Sequence, residues 1–62
     1  MKTFKMIRTY FSKQQIEIYI KCEFQIDAEL MCKAYFTMHE GIKSIKLVYK
    51  NKTHMYLERT EF

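Results

Sequence analysis

The sequence has one glycine, no proline and no tryptophan among its 62 residues. Phosphate-binding loops built on repeated glycines are therefore excluded. A chain this short supports a single small core, which excludes a two-domain enzyme with a cleft between lobes. We therefore expect one domain over residues 1–62.

Long apolar runs are also lacking. No stretch approaches the roughly 18 apolar residues that span a membrane. A signal peptide is not expected either, because it needs an unbroken apolar run, and Lys2, Lys5 and Arg8 interrupt the apolar residues at the start of the sequence. Cys22 and Cys32 are the only cysteines, and both fall in periodic apolar segments. That placement favours buried thiols in a reducing compartment over a single disulfide, so we expect a cytoplasmic protein.

What the sequence does have is apolar and basic residues. The apolar share of 48%, with five Phe and five Tyr, excludes a disordered charged tail. The net charge is +4 and is uneven: residues 41–62 hold five basic and two acidic residues, whereas residues 1–40 hold six and five.

Strict alternation of apolar and polar residues predicts a long strand over residues 15–26. A weaker alternation over residues 3–11 predicts a first strand, joined to it by a turn at residues 12–14. After Gly41, two further alternating segments predict a second hairpin, with its turn at residues 51–52, where Asn51 tolerates a positive φ.

Between the hairpins the period becomes helical, which predicts a helix over residues 28–40. Asp27 is the expected N-cap and Gly41 the expected left-handed C-cap residue. Ile26 and Met31 are placed for a hydrophobic staple. The predicted core-facing stripe consists of Leu30, Met31, Ala34, Tyr35 and Met38.

The order ββαββ predicts an α+β fold, a four-stranded and mostly antiparallel sheet with one helix on one face. Strand order 2-1-3-4 makes every pair antiparallel and is preferred to 1-2-3-4, which stays open. Met6, Met31, Met38 and Met55 are interpreted as adaptable core filler. The face under the helix is expected to carry Phe4, Met6, Ile16, Ile18, Ile20, Cys22, Phe24, Ile45, Leu47, Met55 and Leu57.

The opposite sheet face is expected to remain uncovered, because one helix covers only one side. Its predicted residues are Ile7, Phe11, Tyr19, Lys21, Lys46, Val48, Lys50, His54, Tyr56 and Phe62. Exposed apolar patches mark interaction surfaces, although single exposed apolar residues are ordinary. The leading hypothesis is a protein-binding module whose partner is another protein, acidic in character, or a second copy of the chain. Its expected contacts are Tyr19, Lys21, Lys46, Val48, Lys50 and Tyr56.

Nucleic-acid binding is the alternative. Lysines near tyrosines can meet phosphates and stack bases, but lysines also protect strand edges from pairing. The residues concerned are Lys43, Lys46, Lys50, Lys52 and Tyr49. A homodimeric structural module is a third hypothesis.

Catalytic and metal-binding patterns are weak. His39 and His54 are the only candidate bases of near-neutral pKa, and neither they nor Cys22 and Cys32 show metal-ligand spacing. We expect no enzyme activity, no metal, no cofactor and no small-molecule substrate.

The run from Phe24 through the helix to Phe36, followed by residues 45–49 and the turn at Asn51, resembles the small host-takeover proteins of lytic phages, and among them the antitoxins of T-even phages. The resemblance covers about half the chain and departs from those antitoxins in lacking tryptophan. It implies a chain from a phage or mobile element that occupies and blocks the working surface of a host protein, such as a toxin ribonuclease. No functional residue carries over from it.

Overall fold

The computed structural model describes residues 1–60 and contains four strands and one helix. The elements are β1 (Lys2–Tyr10), β2 (Gln15–Cys22), α1 (Gln25–Met38), β3 (Ile42–Tyr49) and β4 (Lys52–Glu58). The strands form one sheet in the order β2-β1-β3-β4, with every neighbouring pair antiparallel. The predicted α+β fold and the preferred strand order are both confirmed. Within the described residues no helix is long and apolar enough to cross a membrane.

Strand β2 is shorter than its alternation predicts. It ends at Cys22, which pairs with Lys2 at the start of β1. Residues 23 and 24 lie outside the strand, and residues 25 and 26 already belong to α1. The alternation through Phe24 and Ile26 is therefore a coincidence of sequence, and both side chains are exposed.

The helix begins three residues earlier than predicted. Phe24 is the N-cap, with extended backbone and no side-chain capping bond, and its carbonyl accepts a hydrogen bond from the Asp27 N–H at 3.1 Å. Asp27 lies in the first turn instead of capping it, where the helix dipole still favours its charge. The predicted staple is also wrong, since Ile26 and Met31 are both exposed.

The core lies between the sheet and the inner side of α1. Its buried members are Phe4, Met6, Ile20, Ala28, Cys32, Ile42, Ile45 and Leu47. The helix contributes only the two small side chains of Ala28 and Cys32, with Tyr35 and Phe36 partly buried beside them. Because the sheet supplies the large side chains, the space left under the helix fits small ones.

The helix is rotated about its axis relative to the prediction, so most of the residues predicted to face the sheet do not face it. Leu30 and Met38 are exposed at 55% and 75%, and Met31 and Ala34 are exposed as well. Of the predicted stripe only Tyr35 contributes to the core. The methionine interpretation consequently holds for Met6 and the half-buried Met55, but fails for Met31 and Met38.

The second hairpin turns one residue earlier than predicted. Tyr49 pairs with Lys52, so the two loop residues are Lys50 and Asn51. Both have positive φ, at 50° and 63°. Two consecutive positive φ values are the requirement of a type I′ turn, which matches the twist of the flanking strands.

The helix C-terminus is held by an arginine from the end of the sheet. The Arg59 guanidinium donates to the carbonyls of Phe36, His39 and Ile42, the last two at 3.1 and 3.0 Å. It also lies 4.2 Å from the centre of the Phe36 ring. Gly41 does not have a positive φ, so the predicted glycine C-cap is wrong. The Phe36 carbonyl that Arg59 satisfies is one that a left-handed cap would otherwise have satisfied.

Replacing Arg59 with alanine should lower the free energy of unfolding by about 1–2 kcal/mol, because several carbonyls lose a charged donor at once. Chemical denaturation of Arg59→Ala and Arg59→Lys measures this loss. The lysine variant should recover little of it, since an ammonium lacks the planar fork. Lys52→Ala, an exposed strand position, is the matched control. Equal stability of Arg59→Ala and that control would contradict the capping role.

Candidate functional site

The uncovered face of the sheet is organised in two rows that cross all four strands. Residues paired in the ladder share a face, so Glu17, Ile7, Lys46 and Tyr56 form one row. Tyr19, Lys5, Val48 and Thr53 form the next row. We call these eight residues the open sheet face. Tyr19 and Tyr56 lie on opposite edge strands, separated by about 14 Å across the sheet and by about 7 Å along the strands at the usual spacings.

A shallow depression of about 180 Å³ lies at one end of this face. It is lined by Thr3, Lys5, Tyr19, Val48, Lys50 and Asn51. Three residues predicted to bind a partner, Tyr19, Val48 and Lys50, are therefore brought together. Lys46 and Tyr56 face each other in the adjoining row, and Lys21 pairs with Thr3 beyond the depression.

The open sheet face carries more positive than negative charge, and an exposed tyrosine lies on each of its two edge strands. Tyr19 and Tyr56 are exposed at 64% and 51%. The Tyr56 hydroxyl donates a 3.1 Å hydrogen bond to the Glu58 carboxylate, which orients the ring. Three lysines on or beside this face (Lys5, Lys21 and Lys46) outnumber the two carboxylates of Glu17 and Glu58. The arrangement presents two aromatic anchors within positive charge.

Two predicted members of this face lie elsewhere. A register shift after Leu47 pairs Val48 with Thr53, so His54 has no place in the row, and its ring centre is 6.1 Å from that of Tyr49. Phe11 lies in the turn after β1, where its N–H donates to the Gly41 carbonyl. Phe62 is outside the described residues.

The residues of the nucleic-acid alternative are not gathered into one cluster. Lys43 and Lys50 stand near opposite ends of β3, roughly 23 Å apart at the rise of a strand. Tyr49 packs on the helix side, with its ring 4.8 Å from that of Phe4. Its faces are approached by Lys2 and Lys50, whose ammonium groups lie 5.8 and 5.4 Å from the ring centre. Tyr49 is thus occupied by contacts within the chain.

The four candidate metal ligands are separated in the fold. Cys32 is buried on the inner side of α1, whereas the half-buried Cys22 donates its S–H to the Phe24 carbonyl at 3.3 Å. His39 stacks on Tyr35 at the end of α1. Within residues 1–60 no three His, Cys, Asp or Glu residues lie close enough to hold a metal ion.

A second exposed surface was not predicted from the sequence. The outer side of α1 carries exposed Ile26, Leu30, Met31 and Met38. Beside them, Met31, Ala34, Tyr35, Met38 and His39 line an apolar depression of about 310 Å³. The sequence contains a second set of residues at helical spacing, Ala28, Cys32 and Tyr35. Its small members suit close packing on a sheet, so this set could have indicated which side of the helix faces the sheet.

Comparisons of the chain with protein-family models, curated proteins and solved structures find no match.

The thiol of Cys32 resists ionisation. Burial, with a smaller contribution from the nearby Glu29 carboxylate, raises the pKa of Cys32 from 9.0 to about 11. A raised pKa keeps the neutral thiol in the folded state at pH values where the unfolded chain already ionises. The stabilisation is therefore complete below pH 9 and is lost as the pH rises towards 11.

Between pH 9 and 11, the wild-type chain should lose about 1–2 kcal/mol more unfolding free energy than Cys32→Ala, which lacks the titrating group. Denaturant titrations at a series of pH values measure the difference. Parallel curves for wild type and Cys32→Ala would contradict the assigned burial of the thiol.

Proposed function

We propose that the chain is a non-enzymatic protein-binding module that uses its open sheet face to bind an acidic protein surface. The observation that carries the proposal is the pair of exposed tyrosines, Tyr19 and Tyr56, on opposite edges of a lysine-rich face. Tyrosine is enriched among the residues that dominate binding energy in interfaces. Surrounding lysines accelerate encounter with a negatively charged partner and reject positively charged ones.

The shape of the face supports a protein partner. The depression of about 180 Å³ beside Tyr19 is shallow and small for a metabolite, whereas it can accept one side chain of a partner. Ile7 and Val48 lie between the two tyrosines on the central strands and give the face an apolar middle. Apolar centres with polar rims are the usual anatomy of protein interfaces. A phage or mobile-element inhibitor that blocks a host protein, the role implied by the resemblance, is one function of this class.

Truncating either tyrosine should leave the fold intact, because both side chains are more than half exposed, and should weaken partner binding by about tenfold or more. Tagged wild type, Tyr19→Ala and Tyr56→Ala would be used to capture partners from the natural host after nuclease treatment. Affinities for the captured protein are then measured by calorimetry. Lys46→Glu should slow association, and the effect should shrink at high salt.

Thr37→Ala, which is exposed on α1 and outside the open sheet face, is the control and should bind as wild type does. A captured protein that binds the tyrosine variants and wild type equally would contradict the use of this face. Capture of no protein, together with binding of purified RNA or DNA whose affinity falls steeply with salt, would contradict the proposed partner class and favour the alternative.

A further inference from the structure

The outer edge of β2 is a regular strand edge without a neighbour. β2 ends the sheet order, with β1 on one side and, within residues 1–60, no strand on the other. Its ladder with β1 continues without a register shift along the full length of β2. The ladder of the other edge strand, β4, shifts between Leu47 and Val48, which leaves His54 as an extra residue in β4. Such irregularities hinder the pairing of an edge with another strand, so β2 is the edge that is open to pairing.

The hydrogen bonds of the first turn show which β2 residues point their backbone groups outward. The Tyr10 N–H donates to the Gln14 carbonyl at 2.9 Å, so these two residues direct their backbone groups towards each other. In an antiparallel ladder this direction alternates from one residue to the next. The even-numbered residues of β2 therefore bond to β1, whereas Glu17, Tyr19 and Lys21 direct their N–H and C=O groups away from the sheet.

The side chains along this edge carry opposite charges at symmetric positions. Glu17 lies two residues before Tyr19, and Lys21 lies two residues after it. These three side chains share the open side of the sheet, and all three are exposed. On the helix side, Ile16 and Ile18 are only half-buried, so the edge of the core also remains partly exposed.

We propose that β2 pairs with β2 of a second copy of this chain, antiparallel and centred on Tyr19, so that the two sheets join edge to edge. Pairing centred on Tyr19 places residues equally far before and after it opposite each other. Glu17 of each copy then lies directly opposite Lys21 of the other, and the outward N–H and C=O groups of the opposed residues bond to each other. The two-fold axis is perpendicular to the sheet, so it keeps every side chain on its own face and makes the two charge pairs identical, as a closed dimer requires.

The neighbouring registers do not match the charges in this way. Centring the pair on Ile18 would place Glu17 opposite Tyr19, and centring it on Ile20 would place Glu17 opposite Glu23. Opposite charges directly across an antiparallel pair stabilise it, whereas like charges destabilise it. The charge pattern of β2 therefore specifies a second copy of β2 and one register.

The self-association goes beyond the proposed function, and neither requires the other. The two open sheet faces lie side by side on one side of the joined sheet and do not stack on each other, so Tyr56 of each copy stays free. On the helix side, Ile18 of each copy lies opposite Ile20 of the other, which covers the exposed edge of the core. A contact made by one strand of each copy is small, so the dimer is reversible.

Sedimentation velocity from micromolar to millimolar concentration tests the dimer and its register. Wild type should pass from monomer to dimer. Glu17→Lys and Lys21→Glu should each weaken the dimer about tenfold, because each places like charges opposite each other twice. The double variant has the net charge of wild type and restores both opposite-charge pairs, so it should recover wild-type association.

Glu40→Lys and Lys52→Glu are the matched controls, since they make the same changes in net charge at exposed positions outside β2. Both should associate as wild type does. Wild type that stays monomeric throughout, or a double variant that associates no more strongly than the single variants, would overturn the proposal.

Amide hydrogen exchange locates the contact. In dilute solution the N–H groups of Glu17, Tyr19 and Lys21 should exchange rapidly, and their exchange should slow about tenfold once most of the chain is dimeric. The Tyr56 N–H is the control: the Arg59 N–H points inward to the Lys43 carbonyl, so by alternation the Tyr56 N–H points outward from β4. It should exchange rapidly at both concentrations. A dimer that leaves exchange along β2 unchanged would overturn the assignment of the contact to this edge.

Discussion

Within residues 1–60, one 14-residue helix is the only element that covers the four-stranded sheet, and this constraint shapes the rest of the molecule. The helix lies on the sheet through Ala28 and Cys32, two side chains too small to fill a core. Bulk comes from the strands instead, above all from Phe4, Met6 and Leu47. A core built in this way leaves the larger apolar side chains of the helix pointing outward, and the opposite face of the sheet uncovered.

The same constraint explains why the ends of the helix need separate attachment. With few large side chains to anchor it, the helix is fixed at its C-terminus by Arg59, which joins the end of β4 to the carbonyls of the last turn. The backbone N–H of Arg59 also donates to the Lys43 carbonyl at 2.8 Å, so the residue connects β4, β3 and α1. A charged side chain thus performs a task that larger proteins give to apolar packing.

The strands were predictable because alternation of apolar and polar residues indicates a strand with one face buried in the core. The strand order followed from the preference for making all neighbouring pairs antiparallel. The rotation of the helix was not predictable in the same way. Ala28 and Cys32 belong to one series at helical spacing, and Leu30 and Ala34 belong to another. Hydrophobicity favours the second series, whereas the volume left by the sheet selects the first. That volume depends on contacts between distant residues, and no local pattern reports it.

The two exposed surfaces differ in the chemistry they offer. The open sheet face combines tyrosines with unbalanced positive charge, which suits a partner of opposite charge and does not suit a copy of itself. The outer side of α1 is apolar, with exposed Ile26, Leu30 and Met38, and its outward charges, Asp27 and Lys33, are balanced, which gives little preference among charged partners. Lysines on Tyr19's side of the molecule would repel a second open sheet face, whereas the outer side of α1 has no such excess of positive charge. The two sides of this small chain are therefore chemically distinct.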